Sequence, residues 1–158
     1  MTPEVSIIIT SYNYAQYLEE CISSCLAQRG SYEIILVDDG STDGTSEILR
    51  RYAGQLEIVR NSHNGLECAC NLGLRLARGK HFVRVDADDR LKENYLAVVL
   101  SEMKNHPFTM IYSEYTQIDG SGRRIRDVRL PDFDPREIRQ RGDFMATGTL
   151  YRTKEVRE

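Results

Sequence analysis

The chain has 158 residues, 41% of them hydrophobic, with a formal net charge of −3 and a sequence pI of about 5.7. This length can bury one sizeable core, which predicts a single domain over residues 1–158, and the acidic balance gives no long-range attraction to nucleic acid, so we expect no nucleic-acid partner. No apolar run reaches the roughly 18 residues of a membrane span and the first residues lack the basic region of a signal peptide, so we expect a cytoplasmic location.

Short apolar runs rich in β-branched residues recur along the chain, and each has the length of a strand. They cover residues 5–10, 33–38, 56–60, 81–86 and 109–115. Between them, helical spacing of apolar residues and capping residues predict helices around residues 17–26, 43–52, 69–77 and 92–105. This alternation predicts an α/β fold with a doubly wound, mainly parallel sheet, in which ligands bind at the carboxyl ends of the strands.

Small polar residues and glycines mark the remaining turns. Ser41, Thr42 or Asp43 can cap the second helix, which follows directly in the sequence. After residue 115 the periodic pattern ends, and Gly120 and Gly122 in "IDGSGRRI" predict a hairpin turn.

Polar side chains follow three of the predicted strands. They occur in "TSYN" at 10–13, "VDDGSTD" at 37–43 and "VDADD" at 85–89. Each segment alone is typical of a turn, a helix cap or a solvated loop. Because the carboxyl ends of parallel strands meet at one edge of the sheet, the three segments should lie together, and their coincidence favours a binding site.

The aspartates of the third segment indicate the chemistry of this site. Like charges a few ångströms apart raise one another's pKa, so Asp86, Asp88 and Asp89 need solvent, hydrogen bonds or a cation. Their hard oxygen atoms favour Mg²⁺ or Mn²⁺. With Tyr12 to stack a base and a further aspartate for ribose hydroxyls, the pattern suits a nucleoside diphosphate.

Five segments, in order along nearly the whole chain, resemble the family 2 glycosyltransferases. They are "VSIIITSYN", "EIILVDDGSTDGT", "HNG", "NLGLRLARGKHFVRVDADD" and "GTLYRT". The resemblance implies a Rossmann-like GT-A fold and an enzyme that transfers a sugar from a nucleotide-diphospho-sugar, with UDP as the expected nucleotide, to a glycan or lipid-linked acceptor. It also implies a single displacement with inversion, dependent on Mn²⁺ or Mg²⁺, which stabilises the leaving nucleoside diphosphate.

The resemblance assigns donor-binding roles to residues of the first two segments. It implies that Thr10 and Tyr12 contact the nucleobase and that Asp39 holds the base or the ribose. Asp38 should be structural, because strand alternation turns it away from Asp39, and Asp43 is placed to cap a helix.

The metal site implied by the resemblance is a DXD-type element that can be read in two ways. One reading is Asp86-Ala87-Asp88 and the other is the adjacent pair Asp88-Asp89. Asp88 belongs to both readings, so we expect Asp86 and Asp88 to bind the donor and Asp88 and Asp89 to hold the metal.

The chain also departs from the family pattern. Glu67, Cys68 and Cys70 stand where relatives often carry serine and arginine, which removes a cation near the nucleotide and weakens the expectation of uridine. A receiver domain, a haloacid-dehalogenase phosphatase and a nucleotidyltransferase fit less well, because each needs its own acidic or glycine-rich motif near strand one, where this chain has "TSYN".

The catalytic base is the part of the mechanism that the sequence does not supply. Relatives provide it from a segment that follows the equivalent of "GTLYRTKEVRE", and this chain ends at Glu158. The late acids do not resemble the family's base motif: Asp132, Asp134, Asp143 and Glu155. We therefore expect a C-terminally truncated, donor-binding part of a longer protein, which could meet a membrane elsewhere. The alternative is a nucleotide-sugar-binding domain without turnover.

Overall fold

A computed structural model describes residues 2–132, 134, 136 and 147–157, in which strands and helices alternate as predicted. The strands are β1 (Val5–Ser11), β2 (Tyr32–Asp38), β3 (Glu57–Arg60), β4 (His81–Asp86), β5 (Met110–Ile111), β6 (Tyr115–Ile118), β7 (Arg124–Val128) and β8 (Leu150–Arg152). The helices are α1 (Ala15–Leu26), α2 (Thr45–Arg51), α3 (Leu66–Leu76), α4 (Tyr95–Asn105) and α5 (Thr153–Arg157). Within these described ranges, no helix is both long and apolar enough to span a bilayer.

The main sheet has six strands in the order β3-β2-β1-β4-β8-β5. The first four pair in parallel, whereas β8 pairs antiparallel with both β4 and β5. The α/β fold with a mainly parallel sheet is therefore confirmed. The sequence did not predict β8, because a strand of three residues is too short to show a periodic pattern.

Helices cover both faces of this sheet. Strand alternation sends Ile7 and Ile9 into a core shared with α1 and α4, and sends Ile8 into a second core shared with α3. Helix α3 approaches β1 closely, since a Cβ atom at Gly73 would lie 2.4 Å from Cγ2 of Ile8. This double cover is the doubly wound arrangement, and it leaves the strand ends open at the edge.

The predicted strand at 109–115 is wrong in extent. Only Met110–Ile111 joins the main sheet, and Tyr115 begins a separate two-stranded hairpin, β6-β7. The apolar run stops at Tyr112, and the polar residues after it offer nothing to bury in the sheet. The predicted hairpin turn is confirmed: the Asp119 carboxylate accepts hydrogen bonds from its own turn, in which Gly122 has a φ of 78°.

The start of α2 differs from the prediction by two residues. The helix begins at Thr45, and Gly44 occupies the capping position without a side-chain hydrogen bond. Asp43 instead accepts the N–H groups of Thr45 and Ala15, each at 3.0 Å, and so links the starts of α2 and α1. Burial acts to raise the pKa of Asp43, but these hydrogen bonds hold it below its ordinary value.

Candidate functional site

A cavity of about 450 Å³ opens at the carboxyl ends of β1, β2 and β4. Its lining includes all five predicted donor-binding residues: Thr10, Tyr12, Asp39, Asp86 and Asp88. Parallel pairing produces this arrangement, because it sets Thr10 beside Asp86 and Ser11 beside Asp38. The structure therefore brings these residues together, while Asp89 lines a second cavity on the other side of Asp88.

Two buried hydroxyl groups belong to the lining, and one of them has no hydrogen-bond partner among the described residues. Ser11 is 4% exposed, and its Oγ atom has no partner within bonding distance. Thr10 is 6% exposed, and its hydroxyl is close enough to the Asp86 carboxylate to act to lower the pKa of that group. An unsatisfied buried polar group costs about 1–3 kcal/mol, so native structures seldom keep one without water or a ligand. The Ser11 hydroxyl favours a polar ligand in the cavity.

Tyr12 presents an aromatic ring to the cavity, as predicted for base stacking. It is 38% exposed, and its ring stacks on that of His63 with centroids 3.9 Å apart and planes 22° from parallel. His63 reaches this position with a φ of 54°, in the left-handed region that few residues adopt outside turns. Nothing in the sequence predicted this stack, because it depends on the backbone conformation of the loop.

Asp39 is held by that same loop. Its Oδ1 accepts hydrogen bonds from Nδ2 of Asn61 and the N–H of Asn64, and its Oδ2 accepts the N–H of Gly65, at 2.8–3.0 Å. Nδ1 of His63 lies 3.6 Å from Oδ2. A carboxylate has about four acceptor sites, so three hydrogen bonds leave one for a ligand. Asp39 thus positions the loop that carries the ring against Tyr12.

Asp38 points to the face of the sheet opposite to that of Asp39, and its contacts are structural. Its side chain is fully buried, Oδ1 accepts the N–H of Ser41, and Oδ2 accepts Nε of Arg60, both at 3.0 Å. These contacts agree with the structural role expected from strand alternation, and they fix the turn that leads from β2 into the site.

The aspartates at the end of β4 and in the turn after it differ in exposure. Asp88 is exposed, whereas Asp86 and Asp89 are partly buried. Burial raises the pKa of Asp86 and of Asp89, and the negative charge of Asp88 raises both further. Thr147, which precedes β8, accepts the N–H of Asp86 at 2.7 Å and so attaches the unpredicted strand to this turn.

Whether a metal ion fits this turn depends on the ligand atoms that the turn offers. Among the described residues, no group of three or more His, Cys, Asp and Glu side chains is arranged to hold a metal ion. Mg²⁺, however, usually takes one or two carboxylates and completes its shell with water and substrate phosphates. The exposed Asp88 and its neighbour Asp89 fit an ion shared with a diphosphate, not a cage made by protein alone.

Arg84 supplies a cation that the sequence analysis missed. Strand alternation puts it on the same face of β4 as Asp86, and its Nη2 lies 3.1 Å from Oδ2 of Asp86. Its Nη1 lies 4.0 Å from Sγ of Cys70 on α3. A positive charge therefore lies on β4, between Asp86 and this part of α3. An arginine inside an otherwise buried strand was the available signal.

The late acids that the structure describes line neither cavity. Asp132 and Glu155 are exposed and line neither cavity, and Asp134 pairs with Arg136 at 2.7 Å. Asp143 and Glu158 lie outside the described residues.

The fold is that of a doubly wound α/β domain with a cavity at the carboxyl ends of its strands, and comparison with known proteins identifies its family. The profile described as Glycosyl transferase family 2 matches residues 6–154. The chain belongs to the family 2 glycosyltransferases.

Individual relatives place the chain within this family. It is 34% identical over 164 residues to the glycosyltransferase GlyG of Streptococcus pneumoniae, covering 96% of this chain and 54% of GlyG. TarS from S. aureus, solved in complex with UDP-GlcNAc, has the same fold, with a TM-score of 0.80 at 23% identity over 98% of this chain and 46% of TarS. The chain thus spans about half the length of these relatives.

A third protein combines a bound donor and a metal. The mannosyltransferase PcManGT from Pyrobaculum calidifontis, solved in complex with GDP-Man and Mn²⁺, is 29% identical with a TM-score of 0.64. The similarity covers 71% of this chain and 35% of PcManGT.

Proposed function

We propose that this chain is the donor-binding part of a metal-dependent, inverting glycosyltransferase that uses a UDP-sugar. The observation that carries the proposal is the cavity at the strand ends, where buried hydroxyls, an exposed aromatic ring and carboxylates converge. A nucleoside diphosphate needs these three kinds of contact, for its ribose and base polar groups, for its base ring and for a metal on its phosphates.

The donors bound by similar proteins support a nucleotide-sugar as the ligand. TarS was solved with UDP-GlcNAc and with UDP, and PcManGT with GDP-Man and Mn²⁺. Uridine is the nucleoside we propose, because the fold similarity to TarS extends over 98% of this chain. A guanosine donor is the competing choice that the experiment below separates.

The residues divide into three roles along the cavity. Tyr12 stacks on the base, with Thr10 beside it, and the remaining acceptor site of Asp39 takes a donor group of the base or ribose. Arg84 neutralises Asp86 beside the diphosphate. Asp88 and Asp89 hold Mn²⁺ or Mg²⁺, which when bound stabilises the charge of the leaving nucleoside diphosphate.

Transfer also requires an acceptor and a base. We propose a glycan or lipid-linked acceptor, whose hydroxyl attacks the anomeric carbon as the diphosphate leaves from the opposite side. The base would be a carboxylate that removes the hydroxyl proton. Neither Asp132 nor Glu155 lines a cavity, so we do not assign the role to either.

Calorimetry with UDP tests the proposal. We expect UDP to bind when Mn²⁺ is present, to lose affinity in EDTA, and to bind more tightly than GDP or dTDP. Hydrolysis of UDP-GlcNAc in the same solution would separate an enzyme from a domain that only binds. If the folded chain binds none of the three nucleotides with Mn²⁺ present, the proposed donor site is wrong.

Arg84, which does not line the donor cavity itself but pairs with Asp86 in its lining, gives a second prediction. Replacing Arg84 with methionine removes the charge but keeps much of the volume, and leaves the negative charge of Asp86 uncompensated beside the proposed diphosphate. Two like charges a few ångströms apart repel by about 1–4 kcal/mol near a protein surface, so we expect UDP affinity to fall at least about tenfold. Arg84→Lys should retain most of the affinity, and Arg50→Met, at an exposed position on α2, should retain all of it. Unchanged UDP binding by a folded Arg84→Met variant would rule out this role.

A further inference from the structure

A second cavity of about 450 Å³ lies beside the donor cavity, between α1 and the hairpin β6-β7. One wall comes from α1 through Gln16, Tyr17 and Glu20, and the other wall comes from the hairpin, beginning at Tyr115. Asp88 and Asp89, in the turn that follows β4 (the aspartate turn), also belong to its lining. Its volume lies within the range of about 300–1,000 Å³ that is typical of ligand sites.

Arg90 holds the two walls of this cleft together. Its Nη1 lies 2.6 Å from Oε2 of Glu20 on α1, and its Nη2 donates to the carbonyl of Gly122 in the hairpin turn at 3.2 Å. Gly122 is also close to the guanidinium group, because a Cβ atom there would lie 3.0 Å from Nη2. The hairpin is therefore fixed over the aspartate turn by specific contacts.

Asp88 lines both this cleft and the donor cavity. If the nucleotide occupies the donor cavity with its diphosphate at Asp88, the anomeric carbon of the donor lies at the junction of the two cavities. A nucleophile that displaces the diphosphate with inversion must approach that carbon from the side opposite the leaving group. The cleft adjoins the donor cavity at Asp88, so it is space from which such a nucleophile can approach.

The chemistry of the cleft suits a neutral, hydroxyl-rich molecule. Tyr17 and Tyr115 offer aromatic rings from opposite walls, and Ile118 is the one aliphatic side chain among the described lining residues. The charge of Glu20 is balanced by Arg90, and Asp119 lies 3.2 Å from Nε of Arg123. Aromatic rings pack against the C–H face of a sugar ring while polar neighbours bind its hydroxyls.

From these contacts we infer that the cleft between α1 and the hairpin binds the acceptor, a neutral saccharide whose attacking hydroxyl lies next to Asp88. The inference rests on the proposed donor site, because it needs the sugar donor at the junction. It assigns recognition of the acceptor to residues of this chain. The catalytic base, by contrast, is expected in a segment that follows these 158 residues in relatives. Tyr115, which is 47% exposed, is the residue whose loss should disturb binding without disturbing the fold.

Saturation-transfer NMR on the 158-residue chain tests the inference. The probes are methyl glycosides of N-acetylglucosamine, glucose, galactose and mannose together with lactose, maltose and chitobiose, each with UDP and Mg²⁺ present. We expect at least one probe to give a signal that is lost in Tyr115→Ala and in Tyr17→Ala. Ile125→Ala is the matched control, since Ile125 is an exposed residue of the same hairpin that does not line the cleft, and it should leave the signal unchanged.

Calorimetry on the same variants separates the two hypotheses. Tyr115→Ala should bind UDP as tightly as the unmodified chain does. If the unmodified chain itself does not bind UDP, the proposed donor site is wrong, and the acceptor cleft that rests on it is wrong too. UDP binding without a signal from any probe, or a signal that survives both tyrosine variants, would overturn the acceptor cleft. The acceptor assignment is also overturned if Tyr115→Ala weakens UDP-GlcNAc but not UDP, because the cleft would then hold the donor's own sugar.

Discussion

Replacing Asp88 with alanine should abolish metal-dependent binding of UDP. Asp88 is the exposed carboxylate of the aspartate turn and lies where the two cavities meet, so it is the first ligand expected for a metal shared with the diphosphate. Loss of an outer-shell partner typically weakens metal binding by about 10–100-fold, and loss of a direct ligand should cost at least that much. Titration with Mn²⁺ and UDP in a calorimeter would measure the change.

Two variants make the Asp88 result specific. Asp88→Asn keeps the shape of the side chain without its charge, so it should lose most of the affinity if the carboxylate binds a cation. Asp132→Ala removes an exposed acid that lines neither cavity and should bind UDP normally. Asp88→Ala that still bound UDP with the same dependence on Mn²⁺ would show that the metal is held elsewhere.

Replacing Gly73 with alanine should destabilise the whole domain. The new Cβ would lie 2.4 Å from Cγ2 of Ile8 and 3.5 Å from Cγ2 of Val37, so α3 or β1 must shift. Ile8 is β-branched and buried in a central strand, so its side chain cannot easily rotate away. Overpacking at so short a separation should cost about 2–3 kcal/mol, the upper part of the usual range, whereas better helix propensity returns about 1 kcal/mol. We expect the free energy of unfolding to fall by about 1–2 kcal/mol, measured by urea denaturation.

Gly44→Ala is the control for that measurement. A Cβ atom at Gly44 would lie 3.7 Å from Cβ of Ala15, an ordinary contact, and Gly44 caps α2 without a side-chain hydrogen bond. Glycine is preferred to alanine at a helix N-cap, but Gly44 has a φ of −69°, at which alanine is unstrained and gains about 0.4–1 kcal/mol by restricting the unfolded chain. The two effects oppose each other, so the net change should be only a few tenths of a kcal/mol. If Gly73→Ala unfolds at the same urea concentration as the unmodified chain, α3 does not approach β1 as closely as described.

The ends of the central strands were predictable because the sequence marks them twice. The runs that become β1, β2 and β4 are mostly apolar, as expected for strands buried on both faces, and polar residues follow each run at once. The carboxyl ends of parallel strands must meet at one edge, so the segments that contain Thr10 and Asp86 were expected to lie together. By contrast, the partners of β8 are set by tertiary contacts that three residues cannot encode.

Inside the site, residue types were predictable but their partners were not. The acceptor atoms of Asp39 are visible in the sequence, whereas the main-chain N–H groups that occupy them depend on positive φ angles at His63 and Gly65. The contact between Arg84 and Asp86 is compatible with strand alternation, but the sequence does not show which of the neighbouring aspartates the arginine pairs with. Partner choice is a property of loop conformation and of distant chain segments.

The pairing of β5 with β8 has a consequence for how such a protein can diverge. These two strands are hydrogen-bonded neighbours, so the chain leaves the main sheet after Ile111 and rejoins it beside the same strand at Leu150, and the hairpin β6-β7 belongs to the segment between these two points. Lengthening the segment between β5 and β8 should destabilise the fold only slightly, because each doubling of a loop's length raises the entropic free energy of closing it by only about 0.6 kcal/mol. Evolution could therefore exchange the hairpin for a longer or differently shaped one while the register of the sheet, and with it the chemistry at Asp88, stays the same.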